Sequence, residues 1–418
     1  MQEGKALMRK EIYQRYNSRD EIDDKQIHKN STEETRKKTR RKMNVRTRLK
    51  VFSIRSGLDL PFLFITITLV VVGLIMLFSA SYPFAYYRYN DSYYFIKNQL
   101  FFAIFGIAVM IVISYFDYHH FHKFAIPILL VSFVLLVIVL AMPAIHDVHR
   151  WIEVGGFSFQ PSEVMKFALV LTFAHLISKN FKKMNTFKYG ILPFAIILFP
   201  TVVLLVLEPH ISCTVIVVLL AAGMLFIGGV KLRWFGAVLG IIGGALAYIV
   251  LFTDKLTYGN ERIAGWLNPF DSTADTWQTI QGLYAIGSGG LLGQGLGNSR
   301  QKYLYIPEPQ NDFIFAVVCE ELGFIGAVII LLLFAMLVWR GIVLSMRAKD
   351  KFGALLGIGL TAQVGLQVVL NIAVVTNTIP NTGISLPFFS YGGTSLVMLL
   401  AQMGVVLSIS RTSNLEKI

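Results

Sequence analysis

Ten long apolar runs follow one another from residue 61 to residue 410, and no other feature limits the fold so tightly. They cover 61–80, 99–116, 124–142, 161–179, 189–207, 211–229, 233–253, 313–339, 353–377 and 386–410. A helix needs roughly 20 apolar residues to cross a hydrocarbon core about 30 Å thick, because it rises about 1.5 Å per residue. Backbone polar groups inside lipid must be satisfied within the chain, so runs of this length are read as helices. The expected fold class is therefore all-α, a polytopic membrane protein of about ten transmembrane helices. Composition agrees: 55% of residues are hydrophobic and only 15% are charged, against about a quarter charged in soluble domains.

The net charge of +13 would suit nucleic acid if it were spread over a folded face. Instead, much of it precedes Pro61, in runs such as Arg36-Lys37-Lys38 and Arg40-Arg41-Lys42. Residues 1–57 lack an apolar period and are read as a basic, disordered cytoplasmic tail. Such a tail is drawn to anionic membrane lipid by about 1 kcal/mol per basic residue near the surface. Nucleic acid is not an expected partner. No signal peptide is read; the first run is long enough to act as an uncleaved anchor. The two cysteines, Cys213 and Cys319, sit in apolar surroundings and offer neither a disulfide framework nor a metal knuckle.

Basic loops set the orientation. Lys179 to Lys188, Lys231 to Arg233 and Arg340 to Lys351 all fall on the side of the N-terminal tail and Arg411 when the chain crosses ten times. Both termini, including the short tail 411–418, are then cytoplasmic. Loops 81–98, 143–160, 254–312 and 378–385 face outward. The longest, 254–312 between the seventh and eighth runs, is of a length that is usually functional. Its Gly-rich stretch from Ile280 to Leu296 is read as a re-entrant or interfacial segment, because irregular backbone at membrane depth needs protein or a wet cavity around it.

Ionisable residues within spans mark function. Glu163 lies in the first turn of a helix opened by Pro161, where the helix dipole favours a carboxylate. Lys166 is three residues on, on the same face. A structural ion pair and a substrate contact are both open for this couple and are compatible. Glu208-Pro209-His210 lies at the outer end of a tight hairpin, with Glu208 open to a plain interfacial role and His210 to packing. The long loop supplies Glu261, Arg262, Asp271, Asp275, Gln281, Arg300, Lys302 and Asp312, the residue types a head-group reaction needs: a carboxylate to take a proton and cations to hold a leaving diphosphate. Solvated loop charges are the competing reading. Small polar residues from Pro380 to Ser395, Ser390 among them, suggest close packing or backbone exposed to a cavity. Gly293 to Gly297 follows no strand, so it is no dinucleotide loop and is read as serving close packing. His146-Asp147-Val148-His149 is too short and isolated to stand as a metal site. His119, His120 and His122 face the cytoplasm.

Three stretches resemble the SEDS family of lipid-linked peptidoglycan polymerases (FtsW, RodA, SpoVE). The first is Arg150-Trp151-Ile152 with Gln160-Pro161-Ser162-Glu163 and Lys166. The second runs from Trp277-Gln278 and Gln281 through Ala285 to Gly290, Gly295-Leu296-Gly297, Asn311 to Phe315 and Glu320 to Gly323. The third is Leu386-Pro387-Phe388 with Ser390 to Ser395. The similarity covers about 58–410 and leans toward FtsW and SpoVE. It implies a glycosyltransferase that polymerises lipid II on the outer face of the bacterial cytoplasmic membrane, at the septum or in sporulation. A lipid II transporter without chemistry is the alternative. The family's catalytic Asp follows an Asn-Pro or Asp-Pro pair, which here is Asn268-Pro269. Asp271 is the match and Asp275 the alternative, since the alignment needs a small gap. His210 stands where many members carry Asp. Candidates for substrate contact are Arg150, Gln160, Ser162, Glu163, Lys166, Glu208, Arg262, Gln281, Arg300, Lys302 and Ser390. No cofactor is assigned, and a divalent cation (Mg or Mn) is compatible with the diphosphate contacts. Expected partners are a class B penicillin-binding protein transpeptidase and other division proteins.

Overall fold

The computed structural model describes residues 57–143, 150–154, 157–231, 233–234, 266–270 and 274–412. Its helices are α1 (Leu60–Tyr89), α2 (Tyr94–Tyr115), α3 (His119–Leu140), α4 (Pro161–Asn180), α5 (Phe187–Gly190), α6 (Leu192–Leu207), α7 (Ile211–Ile227), α8 (Ala274–Gly289), α9 (Ile314–Met346), α10 (Lys351–Val375) and α11 (Gly393–Thr412). Eight helices among the described residues are long and apolar enough to cross a membrane, α5 and α6 counting as one, and α7 is a shorter apolar helix. The chain is a polytopic membrane protein. The seventh predicted run beyond Trp234 and residues 1–56 of the N-terminal tail lie outside the described residues.

Local chemistry sets the helix ends. The Asp59 side chain accepts from Phe62 N at 3.0 Å and caps α1, with Pro61 in the first turn. Asp350 caps α10 by accepting from Phe352 N at 3.2 Å and Gly353 N at 3.3 Å. α1 continues nine residues beyond the apolar run ending at 80, and Asn90 stops it in the left-handed region at φ 55°. The extension carries tyrosines, which the hydropathy count leaves out and which suit a membrane interface. The all-α expectation has one local exception. β1 (Ile152–Val154) and β2 (Phe157–Phe159) form an antiparallel hairpin pairing Ile152 with Phe159 and Glu153 with Ser158. Thr394 Oγ1 of α11 donates to Ser158 O at 3.0 Å, so the hairpin sits on the outer end of α11.

The outer face of the bundle is apolar, and its hydrophobic core holds polar side chains among the apolar ones. Phe64, Ile104, Leu130 and Phe199 are exposed, while Thr66, Ser79, Gln99, Thr172, Gln363 and Asn371 are buried. Lipid supplies no hydrophobic drive between helices, so close packing and hydrogen bonds hold them. At Gly404 of α11 a Cβ would stand 2.6 Å from Met110 O of α2, so only glycine permits that approach.

The two ends of the bundle are chemically distinct. At the basic end Arg340 grips Asp59 through two contacts, 2.6 Å and 3.1 Å, Arg411 Nη1 donates to Ser114 O at 3.2 Å, and Tyr118 donates to Asp350. At the other end Trp266 Nε1 donates to Asn377 O at 3.0 Å and Ser390 Oγ to Asn311 O at 2.8 Å. Trp234 still lies at the basic end, against Phe187.

α9 is broken at Gly323 (φ 68°), and the loop after α8 repairs the break. Gln294 N donates to Glu320 O at 2.9 Å and Gly295 N to Glu321 O at 3.0 Å. In return Phe324 N donates to Gly290 O at 2.9 Å and Ile325 N to Leu291 O at 3.2 Å. Orphaned helical groups are thus paired inside the protein. The crossing is tight: a Cβ on Gly293 would lie 2.2 Å from Glu321 O, and Gly293 itself holds φ 81°. The stretch read as re-entrant is one helix, α8, plus this glycine-rich patch.

Candidate functional site

At the outer end, Pro161 starts α4 and brings Ser162, Glu163 and Lys166 together on its first turns. Lys166 Nζ lies 2.7 Å from Glu163 Oε1, and the lysine side chain is only 2% exposed. The structural pair weighed from the sequence is therefore formed. Glu163 also opens onto a cavity lined by Gln367 of α10, Ser385 to Phe388, Ser390 and Ser395. The carboxylate thus stands between a buried ammonium and a small cavity of about 20 Å³.

Across from α4, Arg150 donates to Pro209 O and ties the loop before the hairpin to the turn joining α6 and α7. Glu208, in that turn, has no solvent exposure, and neither carboxyl oxygen has a hydrogen-bond partner. His210 is buried, with Nδ1 unpartnered. Burial, reinforced by Arg150 and Lys166, holds the imidazole well below its ordinary pKa, so it is neutral. Cys213 of α7 lies among Lys166, Glu163, Glu208 and Ser162. The first two sequence clusters therefore form one site.

The third wall is the segment 380–392. Ser212 Oγ donates to Thr382 O. Asn371 Nδ2 donates to Asp312 O at 2.8 Å and Ile384 O at 2.6 Å. Ser390 Oγ accepts from Leu386 N at 2.8 Å while donating to Asn311 O, so its hydroxyl holds the segment together at the cavity wall. Gln160 caps α4 without a side-chain bond.

The long loop is anchored beside this site rather than free in solvent. Trp277 Nε1 donates to Tyr305 O at 2.9 Å and Gln278 Nε2 to Pro307 O at 3.2 Å. Gln281 is buried, and the Arg300 side chain is exposed while its N–H donates to Glu320 Oε1 at 2.9 Å. Lys302 has no exposure: Nζ reaches Glu321 Oε1 at 2.7 Å, Gly297 O at 2.6 Å and Ser79 Oγ at 3.3 Å. Its charge is satisfied within the protein, where it pins the loop to α9 and α1. Asp271 and Arg262 lie outside the described residues, as does 144–149 with its two histidines. Asp275 falls in the first turn of α8, its side chain likewise outside the description. Among the described residues no group of three or more His, Cys, Asp or Glu side chains is placed to hold a metal ion.

The cell cycle protein family comprising FtsW, RodA and SpoVE matches residues 60–415. The chain belongs to this family. Stage V sporulation protein E of Bacillus subtilis is 42% identical over 360 residues, 85% of this chain and 97% of the relative. A probable peptidoglycan glycosyltransferase FtsW of Geobacter metallireducens is 36% identical over 373 residues, 88% of this chain and 98% of the relative. Among solved structures, a chain from a peptidoglycan synthase complex that coordinates polymerization and crosslinking superposes with TM-score 0.71 at 26% identity, over 85% of this chain and 98% of that one. The Thermus thermophilus rod shape determining protein RodA gives TM-score 0.63 at 26% identity, over 85% and 97%.

For this FtsW, RodA and SpoVE family member, the candidates drawn from the sequence omit the polar ladder on α10. Gln363, Gln367 and Asn371 recur every fourth residue inside an apolar run, so they share a face, and all three are buried. Gln367 lines the cavity and Asn371 holds its wall. That spacing was a signal in the sequence. Glu320 and Glu321 carried a signal too, as adjacent carboxylates inside a span.

Proposed function

We infer that this protein is a peptidoglycan glycosyltransferase acting in division or sporulation, an enzyme of the membrane that polymerises lipid II. What supports the reading is the gathering of Arg150, Glu163, Lys166 and Glu208 at the outer end of the bundle, where Glu163 also lines a small cavity. A prenyl-linked diphosphate presents its head group at that depth. Arg150 and Lys166 attract the diphosphate, Glu163 positions Lys166, and Gln367 and Ser395 offer hydrogen bonds to sugar hydroxyls. Asp271 takes the proton from the acceptor 4-hydroxyl as its oxygen attacks the donor anomeric carbon. The bond to the prenyl diphosphate breaks, the diphosphate leaves with the electron pair, and the new linkage is β-1,4 by inversion. General base catalysis supplies about 10²–10⁴ of the rate, and Asp275 is the alternative base. Septal placement in the cytoplasmic membrane and pairing with a class B penicillin-binding protein belong to the same reading, supported by the names of the relatives and of the synthase complex.

The test is polymerisation of purified lipid II in detergent, with and without the partner transpeptidase. Detergent has no leaflets, so a pure transporter yields no glycan. Asp271→Asn is expected to fold and to lose at least a hundredfold in rate. Full activity in that variant together with a dead Asp275→Asn moves the base to Asp275.

A further inference from the structure

The basic end of the bundle holds more positive charge than its acids answer, and part of the excess is gathered in one place. Between Glu163 and Asp254 the chain has a single acid, Glu208, which belongs to the opposite end. The same stretch carries Lys179, Lys182, Lys183 and Lys188 from the last turn of α4 to α5, and Lys231 and Arg233 after α7. All six are exposed, and none makes an ion pair among the described residues. Folding brings the two groups together. Phe187 packs against Trp234 with ring centroids 5.3 Å apart, and a Cβ on Gly228 at the end of α7 would stand 3.0 Å from Ile177 of α4. The loop after α4 is a defined turn: Met184 is buried, Thr186 N donates to Lys183 O at 3.0 Å and Gly190 N to Thr186 O at 2.8 Å. Rings hold the cations at the surface, with Lys183 and Lys188 Nζ 5.1 Å and 5.9 Å from the Tyr189 centroid and Arg233 5.4 Å from that of Trp234. Such contacts place a charge without neutralising it. Lys351 borders the patch, 3.4 Å from the Phe181 centroid, and the acid beside it, Asp350, is taken up by Tyr118 and His119.

We propose that this face binds an anionic phospholipid, its phosphate held by Lys183, Lys188 and Arg233 and its acyl chains laid along α6 and α7. Charge bias between loops accounts for basic residues on one side of a membrane. It does not require the cations of two separate loops to meet on one aromatic-lined face that no acid enters. Basic pockets between membrane helices suit anionic head groups. The apolar strip that adjoins the cations decides for a lipid over a soluble anion: Phe187, Leu192 and Ile196 on one side and Phe226 and Ile227 on the other are exposed beside the charges. A free phosphate would meet only the cations, whereas a phospholipid meets both surfaces at once. The inference stands apart from the glycosyltransferase reading, since it uses the opposite end of the bundle and no residue of that site.

The experiment titrates the full-length protein in detergent with phosphatidylglycerol, and separately with phosphatidylcholine of the same chains, and counts bound lipid by native mass spectrometry. Wild type is expected to prefer the anionic lipid by about tenfold or more. Lys183→Gln with Lys188→Gln is expected to weaken phosphatidylglycerol binding about tenfold and to leave phosphatidylcholine unchanged. Lys183→Arg with Lys188→Arg keeps both charges and is expected to stay within about threefold of wild type. Lys123→Gln with Lys349→Gln removes the same charge from exposed positions elsewhere at the basic end, and is expected to change binding by about twofold at most. All these side chains are exposed, so the variants are expected to melt as wild type does. Glycerol phosphate, the head group without chains, is expected to leave the bound lipid in place. The proposal is overturned if wild type shows no preference for the anionic lipid, if the two glutamine pairs lose binding equally, or if glycerol phosphate displaces the lipid at matched concentration. Equal losses would show attraction by diffuse surface charge, and displacement would show a site for a soluble anion.

Discussion

Lys302 shows what a single side chain can be asked to do once its surroundings are known. From the sequence it is a cation on an outer loop, open to contact with a diphosphate. In the structure it is fully buried against Glu321, Ser79 and Gly297 O. Breaking one member of a buried pair leaves the other charge uncompensated, which costs about 3–5 kcal/mol. Lys302→Met is therefore expected to lower the melting temperature markedly in detergent, and Lys302→Met with Glu321→Met to recover most of the loss. An unchanged melting temperature with weakened lipid II binding would return the residue to substrate contact. Glu163 and Lys166 were legible as a pair from their spacing of three. The Lys302 and Glu321 pair was not, because no periodicity links a loop residue to a helix broken by a glycine.

At the scale of elements, two ends of helices carry measurable consequences. Asp350 caps α10 and accepts from Tyr118. Burial alone would raise its carboxyl, but hydrogen bonds from His119, Tyr118 and the Gly353 N–H outweigh burial and bring it down to about 2. A depressed acid stabilises the fold above its unfolded value near 3.8 and loses that contribution as pH falls toward 2. Asp350→Ala should remove about 1 kcal/mol of capping and flatten the acid limb of stability, read by thermal melts between about pH 5 and about pH 2. The broken α9 gives a sharper case. Gly293→Ala must force a Cβ into Glu321 O from a left-handed backbone, and a left-handed alanine alone costs about 1–2 kcal/mol. Loss of polymerisation with α9 still inserted is the expected result; wild-type melting and activity would refute the tight crossing. Apolar runs located the described helices, but some helix ends lie well away from the run ends, at Tyr89, Met346 and Gly393 for instance; the interface tyrosines, the hairpin and the 386–392 turn depend on contacts that hydropathy does not record.

For the whole molecule, orientation is the claim with the widest reach. Charge bias puts Lys349 inside and Tyr305 outside, and the structure separates their ends of the bundle, with Asp350 among the basic contacts and Tyr305 within the long loop, bonded to Trp277. Both native cysteines are buried, so single added cysteines can be read without removing them. Tyr305→Cys should react with an impermeant maleimide on intact cells and Lys349→Cys only after permeabilisation. The reverse pattern would place the candidate site on the wrong side of the membrane for a polymerase. The polytopic helical architecture was legible because lipid makes length and hydrophobicity decisive; the gathering of the loop before the hairpin, the α6–α7 turn and 380–392 near the start of α4 was not, because their sequence separations carry no pattern. The hydrogen bonds that splice residues 290–295 into α9 also carry a consequence for how such chains can diverge. That splice reads peptide groups in a fixed order, so one inserted residue would offer the wrong amide to every carbonyl after it. This stretch has no slack, and a library of single insertions across the long loop should find it intolerant at 290–295.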